Sequence, residues 1–298
     1  MNVAAVDLGT NTTRLLVADV EDGRVEELHR ETRITRLGEG VDGRRRLLPV
    51  PIARVRNALT DYRRTAESLG AERTLLVATS AVREAENGEA FLGEIEWSYG
   101  FATQLLSGDE EAELTRRGVG ELGPETLLVD LGGGSTELVL DGFHTSLPMG
   151  SVRFTERHGE DAGASIEAAR SLLPDLEPED AVGVAATITS IAVLDLGIAE
   201  YDRERVHGHV LTRDGARTQL ERLAALPLDE RRRVAALEPE RAPFIVAGAA
   251  ILVAILDAYG LESIRVSERD LLDGAVLAAA ELPEPEEGAA PPGAYTCC

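Results

Sequence analysis

Apolar residues run without a break through positions 3–6 and return through 15–20, with a short stretch of Gly, Thr and Asn between them. That pattern predicts a β-hairpin closed by a tight turn. It recurs in mid-chain, where apolar runs at 127–129 and 138–140 flank a Gly-Gly-Gly-Ser-Thr turn. Further strands are expected at 25–35, 74–78, 101–105 and 263–266. Apolar positions recurring every three to four residues predict helices near 51–69, 109–120, 165–173, 188–196, 213–226 and 269–280. Residues 244–259 are mostly apolar, but the run falls short of the roughly 20 residues a membrane span requires and reads as a buried helix. Strands mixed with helices, and opened by a hairpin in each half, predict an α/β architecture. A polar Gly/Pro turn at 120–125 marks the boundary. It predicts one domain over 1–123, a second over 124–282, and a disordered Pro/Glu/Gly/Ala-rich tail over 283–298.

The two hairpins match one another in sequence. VDLGTNTTRL from Val6 to Leu15 aligns with VDLGGGSTEL from Val129 to Leu138, and six of the ten positions are identical. An Asp ends the first strand of each, where an isolated carboxylate among apolar neighbours calls for a cation, a water or a proton. Gly and small residues in the turn allow backbone N–H groups to converge on an anion, and Thr or Ser hydroxyls add donors. Carboxylate, N–H groups and hydroxyls together suit phosphate with a divalent metal. Two copies, each opening one half, predict similar domains facing one another across a cleft.

Composition narrows the partners. The chain has 298 residues, 53 acids against 30 cations and a net charge of −23; every cation is Arg. A protein this acidic is repelled by nucleic acid and by anionic membranes. The absence of Lys excludes a Walker-type phosphate loop and Schiff-base chemistry. The charge is uneven: residues 14–83 hold 14 Arg and 11 acids, a local excess of +3. The two cysteines, Cys297 and Cys298, are adjacent at the end and cannot form a disulfide framework. No signal-peptide pattern opens the chain, and the reading is cytoplasmic. The five histidines show no metal-ligand spacing.

The paired turns resemble those of the actin/Hsp70/sugar-kinase superfamily, and within it the exopolyphosphatase/guanosine pentaphosphate phosphohydrolase (Ppx/GppA) family. The likeness runs in order through VDLGTNTTRLLVADV (6–20), ATSAVREAENG (78–88), LLSGDEEAELTRRGV (105–119), VDLGGGSTELVL (129–140) and LPMGSVRFTER (147–157), and continues to VSERDLLDGAVL (266–277). It implies two actin-like ATPase-type, ribonuclease H-like domains flanking a cleft, with the last helix packed on the first domain. It also implies Mg²⁺-dependent removal of terminal phosphate from inorganic polyphosphate, or from guanosine pentaphosphate in the alternative. A homodimer is implied by resemblance alone.

Site residues follow motif by motif. The resemblance singles out Glu111, among the four carboxylates at 109–113, as the base that deprotonates water for in-line attack. Asp109, Glu110 and Glu113 read as ordinary acids at a helix start, with Ser107 or Asp109 as its cap. Arg83 is implied to reach the phosphates, where its planar fork suits bidentate binding. Thr10, Asn11 and Thr12 would form the first phosphate loop, and Gly132, Gly133, Gly134, Ser135 and Thr136 the second, with Thr187 in a further second-half motif. Asp130 and Glu137 are implied to hold Mg²⁺, Asp7 being the weaker metal candidate. A spacing of seven returns Asp130 and Glu137 to one side only if the turn is tight. His207 and His209 read as structural.

Three departures stand out. Ala186 takes a place where Gly is usual in the second-half motif, and its methyl group would crowd a bound phosphate. Asp270 replaces a small residue. Folded sequence runs out near 282, which implies the short family form, with less surface to grip a long polymer. Two further readings come from other classes: a kinase, against which Glu111 argues by favouring water as acceptor, and a catalytically silent polyphosphate or alarmone sensor, toward which Ala186 is the one hint.

Overall fold

A computed structural model describes residues 1–283, and the chain divides into two units. One comprises Met1–Gly118 with the segment from Leu271 onward, the other Val119–Asp270. Apart from Pro283, the expected tail and both cysteines lie outside the described residues. No helix among the described residues is long and apolar enough to cross a membrane.

The first unit is built on five strands: β1 (Asn2–Leu8), β2 (Thr12–Glu21), β3 (Arg24–Ile34), β4 (Arg73–Ala78) and β5 (Ala102–Leu105). Their order is β3-β2-β1-β4-β5, antiparallel through the first three and parallel from β1 to β4 to β5. Residues 3–8 of β1 are all buried, because helices cover both faces of the sheet. On one face Ala4, Val6 and Leu8 pack with Val55, Leu59 and Tyr62 of the helix Pro49–Ser68 and with Leu92 and Ile95 of the helix Gly88–Tyr99. On the other, Val3, Ala5, Leu75 and Val77 pack with Leu272, Ala275, Val276 and Ala279 of the helix Leu271–Ala280. Gly274 lets that last helix press on the helix Gly108–Val119, since a Cβ there would stand 1.9 Å from the Leu114 carbonyl oxygen.

The second unit repeats the plan. Its strands are β6 (Thr126–Leu131), β7 (Thr136–Leu140), β8 (Phe143–Leu147), β9 (Asp180–Val184), β10 (Val210–Thr212) and β11 (Ser263–Val266), in the order β10-β11-β9-β6-β7-β8. A three-stranded antiparallel meander again leads to strands parallel to its first member, and β10 adds an antiparallel edge. Leaving out β10, the two sheets share one strand order, as the repeated hairpin predicts. The apolar run is the helix Ile245–Ala258, buried from Ile245 to Leu256. A helix apolar all round belongs inside a core.

Several elements carry weak periodic signals and emerge only here: β8, β9, the helix Gly88–Tyr99 and the helix Ser151–His158. In β9, Gly183 interrupts the strand pattern for a packing reason. A Cβ there would meet Ile264 and Ile188 at 2.7 and 2.8 Å.

Candidate phosphohydrolase site

Both hairpin turns close in the same way. In the first, the Gly9 amide donates to the Thr12 carbonyl at 2.9 Å; in the second, the Gly132 amide donates to the Ser135 carbonyl at 3.0 Å. Further carbonyls of each turn are tied back into the protein. Thr10 accepts from the Gly38 amide, and Asn11 from the amides of Thr35 and Arg36. Gly132 accepts from the Ser151 amide, and Gly133 from those of Val152 and Arg153. Each close approach needs a glycine. A Cβ on Gly38 would stand 2.4 Å from Thr10 Cγ2, and one on Gly150 would stand 2.4 Å from the Gly133 carbonyl.

Because a peptide is planar and trans, its N–H points opposite to the preceding carbonyl. With the carbonyls of Thr10 and Asn11 drawn inward, the amides of Asn11 and Thr12 point outward. With those of Gly132 and Gly133 drawn inward, the amides of Gly133 and Gly134 do the same. Each turn is thus an array of N–H donors suited to an anion. Asn11 also carries a buried Oδ1, an acceptor with no hydrogen-bond partner among the described residues, which is not part of the donor array. Thr136 does not join this set. It is fully buried and its hydroxyl donates to the Met149 carbonyl at 2.5 Å, so that donor holds strand to loop.

The carboxylates differ between the hairpins. Asp7 lies opposite Arg14 in the β1–β2 ladder, and Arg14 grips Asp7 Oδ2 from Nε at 2.9 Å and from a terminal nitrogen at 2.8 Å. Asp7 therefore already has its cation. At the matching place in the β6–β7 ladder, Asp130 lies opposite Glu137, so both side chains leave the same face of the sheet. Both are buried, Glu137 to 1% exposure, and Ser146 Oγ donates to Glu137 Oε1 at 2.6 Å. Two buried carboxylates on one face repel unless a cation or a proton intervenes. Among the described residues no three His, Cys, Asp or Glu side chains cluster around one point. A pair of carboxylate oxygen donors fits Mg²⁺, which binds through one or two carboxylates and keeps several waters.

Glu111 and Arg83 come together in the first unit. Glu111 sits in the first turn of the helix Gly108–Val119 and is 6% exposed; Arg83 ends the short helix Ser80–Arg83 that follows β4. One terminal nitrogen of Arg83 donates to Glu111 Oε2 at 3.2 Å and to the Leu106 carbonyl at 2.6 Å. Its Nε and other terminal nitrogen have no hydrogen-bond partner among the described residues, which leaves one edge of the guanidinium for an anion. Neighbouring acids serve the helix itself. Ser107 and Glu110 form a reciprocal capping box: Glu110 Oε2 accepts from the Ser107 amide at 2.8 Å and the Glu110 amide donates to Ser107 Oγ at 3.2 Å. The Ser107 amide, and then the Ser107 hydroxyl donating to the same Glu110 oxygen at 2.8 Å, hold the Glu110 carboxyl below its ordinary range. Glu113 chelates Arg116 with both oxygens.

The Ppx/GppA phosphatase family matches residues 16–282. The chain belongs to that family. It is 39% identical to exopolyphosphatase 2 of Mycobacterium tuberculosis, over 93% of this chain and 98% of that protein. A guanosine-5'-triphosphate,3'-diphosphate pyrophosphatase of Vibrio atlanticus is 30% identical, over 91% of this chain and 58% of the other. Among solved structures, an Aquifex aeolicus member of the Ppx/GppA family superposes with a TM-score of 0.77 at 27% identity, over 94% of this chain and 98% of that one.

Two features of this Ppx/GppA chain escape a reading of motifs. Arg153 is 7% exposed and its Nε donates to the Gly134 carbonyl at 2.6 Å, against the second turn. It lies in the LPMGSVRFTER segment, but nothing local marks it off from other arginines. In the second-half motif the strained residue is Ala185, at φ +70°, rather than Ala186. Thr187 follows in the first turn of the helix Ala185–Leu196, buried, with its side chain against Gly248. His209 pairs with Asp195 at 2.9 Å, and His207 Nδ1 accepts from the Glu268 amide.

Proposed function

We propose that this protein is an exopolyphosphatase, releasing orthophosphate from the end of inorganic polyphosphate. The observation that carries this reading is the buried Glu111 held by Arg83, a carboxylate base oriented beside a cation with donors to spare. Glu111 takes the proton of a water whose oxygen attacks the terminal phosphorus in line. As the new P–O bond forms, the bond to the bridging oxygen breaks, and the shortened chain leaves as the anion. Arg83 binds non-bridging oxygens, whose charge grows toward the transition state, and the outward amides of each turn are donors suited to phosphate oxygens. Asp130 and Glu137 would hold Mg²⁺, which when bound offsets the charge of the substrate. The local Arg excess of residues 14–83 supplies attraction within an otherwise acidic protein, whose remaining charge is screened beyond about 10 Å at moderate salt.

Polyphosphate is favoured over guanosine pentaphosphate because the exopolyphosphatase relative is matched along nearly its whole length. The test is phosphate release with Mg²⁺ from short polyphosphate, long polyphosphate and guanosine pentaphosphate, side by side. Release from polyphosphate at a higher kcat/KM than from the nucleotide is expected, and chelation of Mg²⁺ should abolish it. Asp130→Asn and Glu137→Gln should each raise the half-saturating Mg²⁺ concentration by about tenfold or more. Failure to release phosphate from any of the three substrates refutes the hydrolase reading, and preference for the nucleotide refutes the choice of substrate.

A further inference from the structure

Four successive carbonyls of the second turn, Gly132 through Ser135, are each bound by a donor from the protein. Gly133 and Ser135 are bound by backbone amides alone, and Gly132 by the Ser151 amide with the Ser151 hydroxyl reaching it at 3.5 Å. Gly134 is the exception. Its carbonyl is bound by the Nε of Arg153, a buried guanidinium projecting from the first turn of the helix Ser151–His158. The first turn has no such device, since Gly38, Thr35 and Arg36 hold its carbonyls by backbone alone.

We infer that Arg153 is a positioning residue for catalysis, fixing the Gly134–Ser135 peptide so that the Ser135 amide becomes a third outward donor beside those of Gly133 and Gly134. The inference rests on the phosphohydrolase reading of this turn and extends it to a residue outside the turn. Planarity supplies the physics: the Ser135 N–H points opposite to the Gly134 carbonyl, so whatever holds the carbonyl aims the amide. Gly134 has no side chain to oppose rotation of this peptide. Without Arg153 the peptide is free to flip, which would replace a donor by a carbonyl oxygen facing the phosphate. Such a reversal both removes a transition-state hydrogen bond and adds repulsion, so the loss falls on kcat more than on KM. Arg153 itself touches no substrate in this scheme.

The experiment combines kinetics with amide NMR. In Arg153→Ala, kcat for phosphate release should fall about a hundredfold with KM changed less than threefold, and millimolar guanidinium should restore part of the loss. Rescue of this kind is not expected if the side chain only stabilises the fold. Wild type labelled with 15N at Gly and Ser is titrated with orthovanadate and Mg²⁺, and the resonances of Gly133, Gly134 and Ser135 should shift together. In Arg153→Lys, which keeps a buried cation but loses the Nε donor, the Ser135 shift should be lost or reduced while those of Gly133 and Gly134 remain. An unmoved Ser135 amide in wild type overturns the inference, as does a folded Arg153→Ala enzyme with kcat within twofold of wild type. If Arg153→Ala does not fold, the wild-type and Arg153→Lys titrations decide. Absence of turnover in wild type would count against the proposed activity, whereas the amide shifts report the geometry of the turn independently of turnover.

Discussion

Glu110 and Glu111 are adjacent, identical in type and oppositely placed, and exchanging each for Gln separates helix capping from catalysis. Glu111→Gln removes a carboxylate that is 6% exposed and held by Arg83 at 3.2 Å. General-base catalysis of this kind contributes about 10²–10⁴ in rate, or about 3–5 kcal/mol of barrier. The same change converts a charged hydrogen bond into a neutral one, and a charge-assisted bond contributes about 1.5–3 kcal/mol. Arg83 stays partly solvated and keeps the Leu106 carbonyl, so the stability cost belongs at the low end of that range. Glu110→Gln acts on an exposed side chain that accepts from the Ser107 amide, the Ser107 hydroxyl and Gln104 Nε2, and the Gln carbonyl oxygen can still accept from the amide. Its cost is about 0.5 kcal/mol, with kcat unchanged within twofold.

The pH dependence of the Glu110 contribution has a definite sign. Hydrogen bonds lower its folded pKa, so its stabilisation is present above the unfolded value near 4 and is lost as pH falls through the folded value. Phosphate release at saturating Mg²⁺ and polyphosphate, with thermal melts of each variant, provides the assay. The reasoning fails if folded Glu111→Gln retains more than a tenth of wild-type kcat, or if Glu110→Gln loses as much activity as Glu111→Gln.

Two backbone predictions test the frame around the site. Ala185 stands at φ +70°, where a Cβ costs about 1–2 kcal/mol and glycine carries some entropic penalty, so Ala185→Gly should stabilise by about 1 kcal/mol; a melting temperature raised by about 2–4 °C is expected, and a lowered one would show that no strain is relieved. Gly274→Ala should destabilise by about 3 kcal/mol or more, since its Cβ would stand 1.9 Å from a backbone carbonyl that cannot yield without moving a helix; an unchanged denaturant midpoint would contradict that contact.

Much of the frame was legible in the residues because its signals are local. The repeated VDLG motif, the alternation of turn and strand, and the apolar run at 245–256 each act over a few positions. The facing of Asp130 and Glu137 was legible as a condition, since seven residues around a tight turn bring both to one face. The choice of Glu111 came from family likeness, because four acids at a helix start look alike in composition. The capping box at Ser107 and Glu110 and the burial of Glu111 supply the physical distinction.

What the sequence determined by itself was the pair of hairpins and the chemistry they carry, since a turn, its glycines and its flanking strands are set by neighbours along the chain. Tertiary structure alone decided which carbonyls are drawn inward and which amides are left facing out. Arg83 meets Glu111 across 28 residues, and Arg153 meets Gly134 across 19. No local pattern encodes such meetings, because they depend on how helices and sheet pack once the core has formed. The same packing spends the Thr136 hydroxyl on Met149 and binds Asp7 to Arg14, although both residues sit in the shared motif. A motif specifies which groups are present; the fold determines which of them remain to act.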